Sequence, residues 1–168
     1  MVTTRDIVIK WSAYAVASLL LVFVHSLTLR QIPIWGVRAF IPPLLSAIIA
    51  SQEDTRGAVL FGTGFGLLCD LVVASPLPCL YTLSFTLAAL FSSLLAKSVL
   101  QPGFLCSLIV SLLTFAVTDA LSMLALSFRG AEALPMLSLA IREMAVSCIL
   151  LPVCHIVLHY VHRRFTYE

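Results

Sequence analysis

The chain has 168 residues, 61% of them hydrophobic and 11% charged, with ten Lys and Arg against eight Asp and Glu for a formal charge of +2. Soluble domains sit near roughly 45–50% apolar and about 25% charged, so this composition describes an integral membrane protein. The small charge, with its basic residues scattered along the chain, excludes nucleic acid as a partner.

A membrane helix takes about 20 residues, so the chain holds about six crossings as one all-α bundle over residues 1–168, with no room for a soluble domain. Any function must then sit in the bundle or at its rims. The five cysteines, Cys69, Cys79, Cys106, Cys148 and Cys154, lie in or beside apolar runs without a Cys-x-x-Cys pair and read as small core residues.

Arg5 and Lys10 before the apolar run from Trp11 resemble the start of a signal peptide, but no Ala-x-Ala-like cleavage site follows, so the run is expected to stay as the first crossing, to about Leu29. Lys10 and Trp11 would anchor one rim, and His25, Ser26 and Arg30 the other. The second segment is interrupted by Arg38 and by Pro42-Pro43, so residues 32–51 are predicted to span as a short or kinked helix, with a segment that dips in and returns as the alternative, before a polar turn over residues 52–56.

The third crossing, Gly57 to Val73, looks like the packing centre. On a helix Gly62, Gly66 and Asp70 are four apart and share one face, which lets a neighbouring helix approach closely and turns the acid into protein. Glycines that only ease packing, with Asp70 as an outer-end cap, remain the open alternative. The prolines of Ser75-Pro76-Leu77-Pro78 end this helix, and Cys79 to Ala96 forms the fourth crossing, closed by Lys97.

Gln101-Pro102-Gly103 breaks the chain before the fifth crossing, from Phe104 to about Leu126. It contains Asp119 beside a stripe of hydroxyls, Ser111, Thr114, Thr118 and Ser122, suited to interhelical hydrogen bonds or to bonds within their own helix. Residues 127–138 form the longest connection, and the sixth crossing, Leu139 to Val161, begins with Arg142-Glu143 and ends at a basic tail.

Six crossings put both termini on one side with Arg5, Lys10, Arg56, Lys97, Arg163 and Arg164, against Arg30, Arg38, Arg129 and Arg142 on the other, which favours cytoplasmic termini. Asp70 and Asp119 then sit roughly 20 Å from the inner ends of their helices, and Arg142 enters at a comparable depth. Intramembrane charges usually offset one another, so Asp70, Asp119 and Arg142 are expected to meet, with Glu143 as a further partner; separate solvation at the rim is the alternative.

An aspartyl protease is not indicated. Cys69 precedes Asp70 where presenilin-type proteases place glycine, and the chain has no Asn of the kind that accompanies the acids of lipoprotein signal peptidases. Cys148, His155, His159 and His162 share a face of the last helix at spacings that could hold a transition metal, but beside the basic tail they read as interfacial residues. No phosphate loop, nucleophile elbow or paired metal motif is present, so neither an enzyme nor a cofactor is expected.

The order of features resembles MreD, the small integral membrane protein of the bacterial rod-shape (elongation) machinery, over most of the chain. The likeness rests on the proline- and leucine-bearing segment from Arg38 to Ala50, the Gly57-x4-Gly62-x3-Gly66-x3-Asp70-Leu71 helix, Thr118-Asp119, and Leu151-Pro152 before Arg163-Arg164-Phe165. Pro76-Leu77-Pro78 departs from it, standing where a glycine is expected. The resemblance implies a non-catalytic bundle in the cytoplasmic membrane, surrounded by membrane lipid. It would pair with MreC near Asp70, Asp119 and Arg142 and couple MreB filaments to the RodA glycosyltransferase and its penicillin-binding transpeptidase.

The competing class is a substrate-binding subunit of an energy-coupling-factor vitamin transporter, also a six-helix protein similar in outline. Those subunits dock through an Ala-x-x-x-Ala motif on the first helix; the alternating Ala13, Ala15 and Ala17 are not read as that motif here, which favours the scaffold.

Overall fold

Pro42 and Pro43 occupy the first two positions of a helix, where the N–H groups they lack would have no intrahelical acceptor, so they start the element and do not kink it. This helix is the shortest in the chain and its centre. In the computed structural model, which describes residues 4–28, 35–73, 77–98, 103–128, 130 and 133–166, the helices are α1 (Thr4–Thr28), α2 (Pro42–Gln52), α3 (Thr55–Val72), α4 (Leu80–Ser98), α5 (Phe104–Ser127), α6 (Ala133–Cys148) and α7 (Leu151–Thr166).

Every residue of α2 from Pro42 to Ser51 is buried, and α3, α4, α5 and α7 all pack on it. A helix without a charge and apolar on all sides belongs in the interior, and 11 residues cover only about 16 Å, well short of the hydrocarbon. The expectation that this segment spans is therefore corrected, as is the expectation that α3 is the centre. Ile41, Leu45, Ile48 and Ile49 join Tyr14 of α1, Phe65 of α3, Phe85 of α4 and Leu158 of α7 in the main core cluster.

The last expected crossing is two helices. α6 begins at Ala133, inside the stretch read as a connection, and meets α7 at a bend of 52°. Pro152, in the first turn of α7, lacks a donor and its ring would strike the carbonyl four residues earlier, at Cys148, where α6 ends. Among the described residues three helices are long and apolar enough to cross a membrane, Ile7–Thr28, Thr55–Val72 and Phe104–Ser127, and the bent pair makes a fourth if it counts as one span. The all-helical architecture stands, with three or four candidate spans among the described residues in place of the six expected.

The surface is arranged for lipid. On α1 the fully buried side chains are Tyr14, Ser18 and His25, all polar, while Leu19, Leu20, Phe23 and Val24 face outward. Leu60, Leu67 and Leu71 do the same on α3. Lys10 of α1 and His162 of α7 lie side by side, each meeting Glu53.

Candidate functional site

The face read from the glycine spacing of α3 packs on α4, its most extensive helix contact. A Cβ on Gly62 would stand 2.9 Å from the Phe85 carbonyl oxygen, and one on Gly66 2.6 Å from that of Tyr81 and 2.7 Å from the Thr82 Cα. These obstacles are backbone, so no rotamer change relieves them. Gly64, on the other side of the same helix, has open space around it.

Asp70 completes the hairpin. Its Oδ1 accepts the Tyr81 N–H at 3.0 Å, and its Oδ2 accepts the Thr82 N–H at 2.8 Å and the Thr82 hydroxyl at 2.7 Å. It thus caps the first turn of α4 from the end of α3, meeting donors that a helix start leaves without intrahelical acceptors and favouring the positive end of the helix dipole. The chain reaches that turn through Cys79, whose φ of 61° is left-handed.

At the same end of the bundle, α4, α5 and α6 enclose a cavity of about 190 Å³ lined by Asp119, Glu143, Tyr81, Phe40, Thr118 and Ser122 among others. Tyr81 lies within electrostatic reach of Asp70, Asp119 and Glu143. The structure therefore joins Asp119 to Glu143 in one cavity and places Asp70 behind its Tyr81 wall. Arg142 is exposed, and no ion pair among the described residues links it to these acids, so the expected meeting of Arg142 with Asp70 and Asp119 is corrected. The reason is the register of α6, where neighbouring residues project about 100° apart and only Glu143 turns inward.

The hydroxyl stripe of α5 serves its own helix. Thr114, Thr118 and Ser122 donate to the carbonyls of Val110, Thr114 and Thr118 at 2.8–2.9 Å, which leaves the interhelical reading without these bonds. A cross-helix hydroxyl pair forms elsewhere, between Ser51 of α2 and Ser107 of α5 at 3.1 Å.

A second polar cluster lies at the opposite end and went unnoticed in the sequence. Glu53, in the turn between α2 and α3, pairs through Oε2 with the Lys10 ammonium at 2.7 Å. Its Oε1 accepts the Tyr14 hydroxyl at 2.8 Å and meets His162 Nδ1 at 2.9 Å. Burial pushes the Glu53 carboxyl up, but hydrogen bonds from His162, Lys10 and Tyr14, with the Lys10 charge, outweigh it and hold the group below its ordinary range. The available signals were Lys10 and Tyr14 one turn apart on α1 and an acid directly after an uncharged helix.

The other two histidines of α7 stack in a row with His162. The His155 and His159 rings are 5.5 Å apart at 8°, and those of His159 and His162 6.5 Å apart at 24°. Parallel rings of this kind do not converge on one point, and among the described residues no group of three His, Cys, Asp or Glu side chains is placed to hold a metal ion. Comparison of the chain with protein-family models, curated proteins and solved structures gives no match.

Proposed function

We propose that this protein is a non-catalytic scaffold of the bacterial cytoplasmic membrane, an MreD-type component of the cell-elongation machinery that pairs with MreC and links MreB filaments to RodA and its penicillin-binding transpeptidase. The observation that carries the reading is how the segment behind the resemblance is used. Gly62, Gly66 and Asp70 lock α3 to α4, so the segment that carries the resemblance serves packing. In this reading the termini are cytoplasmic, the Glu53 cluster lies at the inner end, and the Asp119–Glu143 cavity faces the partner at the outer end.

The cavity itself favours a second reading, a vitamin-binding transporter subunit, because it lies where such subunits open. Its volume of about 190 Å³ weighs against that reading, since small-molecule pockets usually enclose about 300–1,000 Å³. Ala13 and Ala17 do stand four residues apart, contrary to the reading of α1 given above. The spacing alone therefore does not separate the two classes, and Ala17 packs against the core cluster, away from a docking surface.

The test is a mild-detergent pull-down of the tagged full-length protein from its own cells, with mass spectrometry of the co-purifying proteins and released small molecules. Recovery of MreC or the cell-wall synthases without a bound metabolite is the expected outcome. A stoichiometric vitamin with an ATPase pair would replace the scaffold reading by the transporter.

A further inference from the structure

Beside the Asp119–Glu143 cavity runs an open groove of about 280 Å³ between α5 and α6, lined by Ala116, Ala120, Leu137, Ile141 and Met144. Asp119, Met123 and Ala140 line both spaces, so groove and cavity adjoin and Asp119 stands at the junction. Ala116 and Ala120 are exposed and Ala140 half-buried, so a backbone can come close along this face. Among the helices α6 packs chiefly on α5, and its Leu134, Leu137, Leu139 and Ile141 are exposed.

The charges are one-sided. Among the described residues neither lining contains a Lys, Arg or His, and no hydrogen bond or ion pair reaches Asp119 or Glu143. Two carboxylates among apolar helices call for a cation, because charge in hydrocarbon is retained where it is paired. A comparable groove between α1 and α3, lined by Ala15, Leu19, Leu60, Phe61, Gly64, Phe65 and Leu68, carries no charge and so has nothing to select one occupant over lipid.

We propose that the α5–α6 groove seats one transmembrane helix of a partner protein, whose Lys or Arg side chain passes Asp119 into the cavity toward Glu143. Size supports a side chain over a free metabolite, since the cavity is about 190 Å³ and adjoins the groove at Asp119, Met123 and Ala140. This deepens the scaffold reading and rests on it only for the identity of the partner.

The test uses the full-length protein in its own membranes with a benzoylphenylalanine photo-crosslinker at Ala120 and, separately, at Leu60 in the uncharged groove. The expected adduct at Ala120 maps to a transmembrane segment containing Lys or Arg. Its yield falls about tenfold or more with Asp119→Asn plus Glu143→Gln, as truncation of a desolvated charge pair requires, while the Leu60 yield is unchanged. Asp119→Lys combined with an acidic replacement of the partner's cation restores the adduct.

An adduct with lipid alone, with a helix lacking a cation, or with a yield indifferent to the double substitution overturns the proposal, as does release of a small amine in place of an adduct. If the double variant does not accumulate, Ala120→Phe fills the groove at an exposed position with both acids intact. Co-purification must then drop to the same extent, and its persistence overturns the proposal. A basic-helix partner outside the cell-wall machinery keeps this inference and removes the scaffold reading. MreC captured only from Leu60 does the reverse.

Discussion

Gly66 and Gly64 are two residues apart on one helix and obey opposite rules. A methyl group at Gly66 would press on the Tyr81 carbonyl and Thr82 backbone, whereas one at Gly64 meets nothing within 4 Å. Gly66→Ala should therefore force α3 from α4 and cost about 1–3 kcal/mol, while Gly64→Ala should be neutral or raise stability by up to about 1 kcal/mol through helix propensity. Thermal unfolding of both variants in the same detergent, followed by circular dichroism, checks the contrast. Asp70 gives a second residue-scale test. Asp70→Ala strands the N–H groups of Tyr81 and Thr82 and should cost about 1–3 kcal/mol, with Asp70→Asn costing less because it keeps one acceptor. The glycine face could be read from the sequence because its spacing is local, but its neighbour α4 could not, since α4 lies across a turn.

At the scale of elements, the first and last helices are joined through a turn that belongs to neither. Glu53 links Lys10 and Tyr14 of α1 to His162 of α7 over sequence separations of 43, 39 and 109 residues. Glu53→Gln removes the charge while keeping the shape, and should lower stability by about 1.5–3 kcal/mol, the range for hydrogen bonds to charged groups. A proteolysis or exchange measurement should find the opening concentrated at α1 and α7. The pH dependence has a definite sign. The folded-state carboxyl is held below its ordinary value of 4.5, so its contribution is fully present above that value and is lost as pH falls through the lower folded value. The difference in unfolding midpoint between wild type and Glu53→Gln should thus be constant near neutrality and shrink in acid. A difference that grew below pH 4.5 would contradict the assignment.

For the molecule as a whole, the two polar ends of the bundle allow a test of sidedness. Cys69, Cys106 and Cys154 are buried and Cys79 is exposed, at the end of the bundle opposite the Glu53 cluster. A membrane-impermeant maleimide added to intact cells with permeable outer layers should label Cys79 if the termini are cytoplasmic. Labelling after lysis alone would invert the bundle, exchanging the environments of the two polar clusters.

Composition alone pointed to a helical bundle with apolar helices long enough to cross a membrane, and local spacing determined the face of α3 and most helix starts, because those depend on residues within one or two turns of each other. Tertiary structure decided the rest. Residues 42–51 look like a defective span in isolation and become the centre once four helices surround them. Arg142 and Glu143 are neighbours in sequence, yet the register of α6 leaves one exposed and turns the other into the cavity. The Glu53 cluster has no local signature, because its four side chains come from three distant segments and acquire their chemistry only on being buried together.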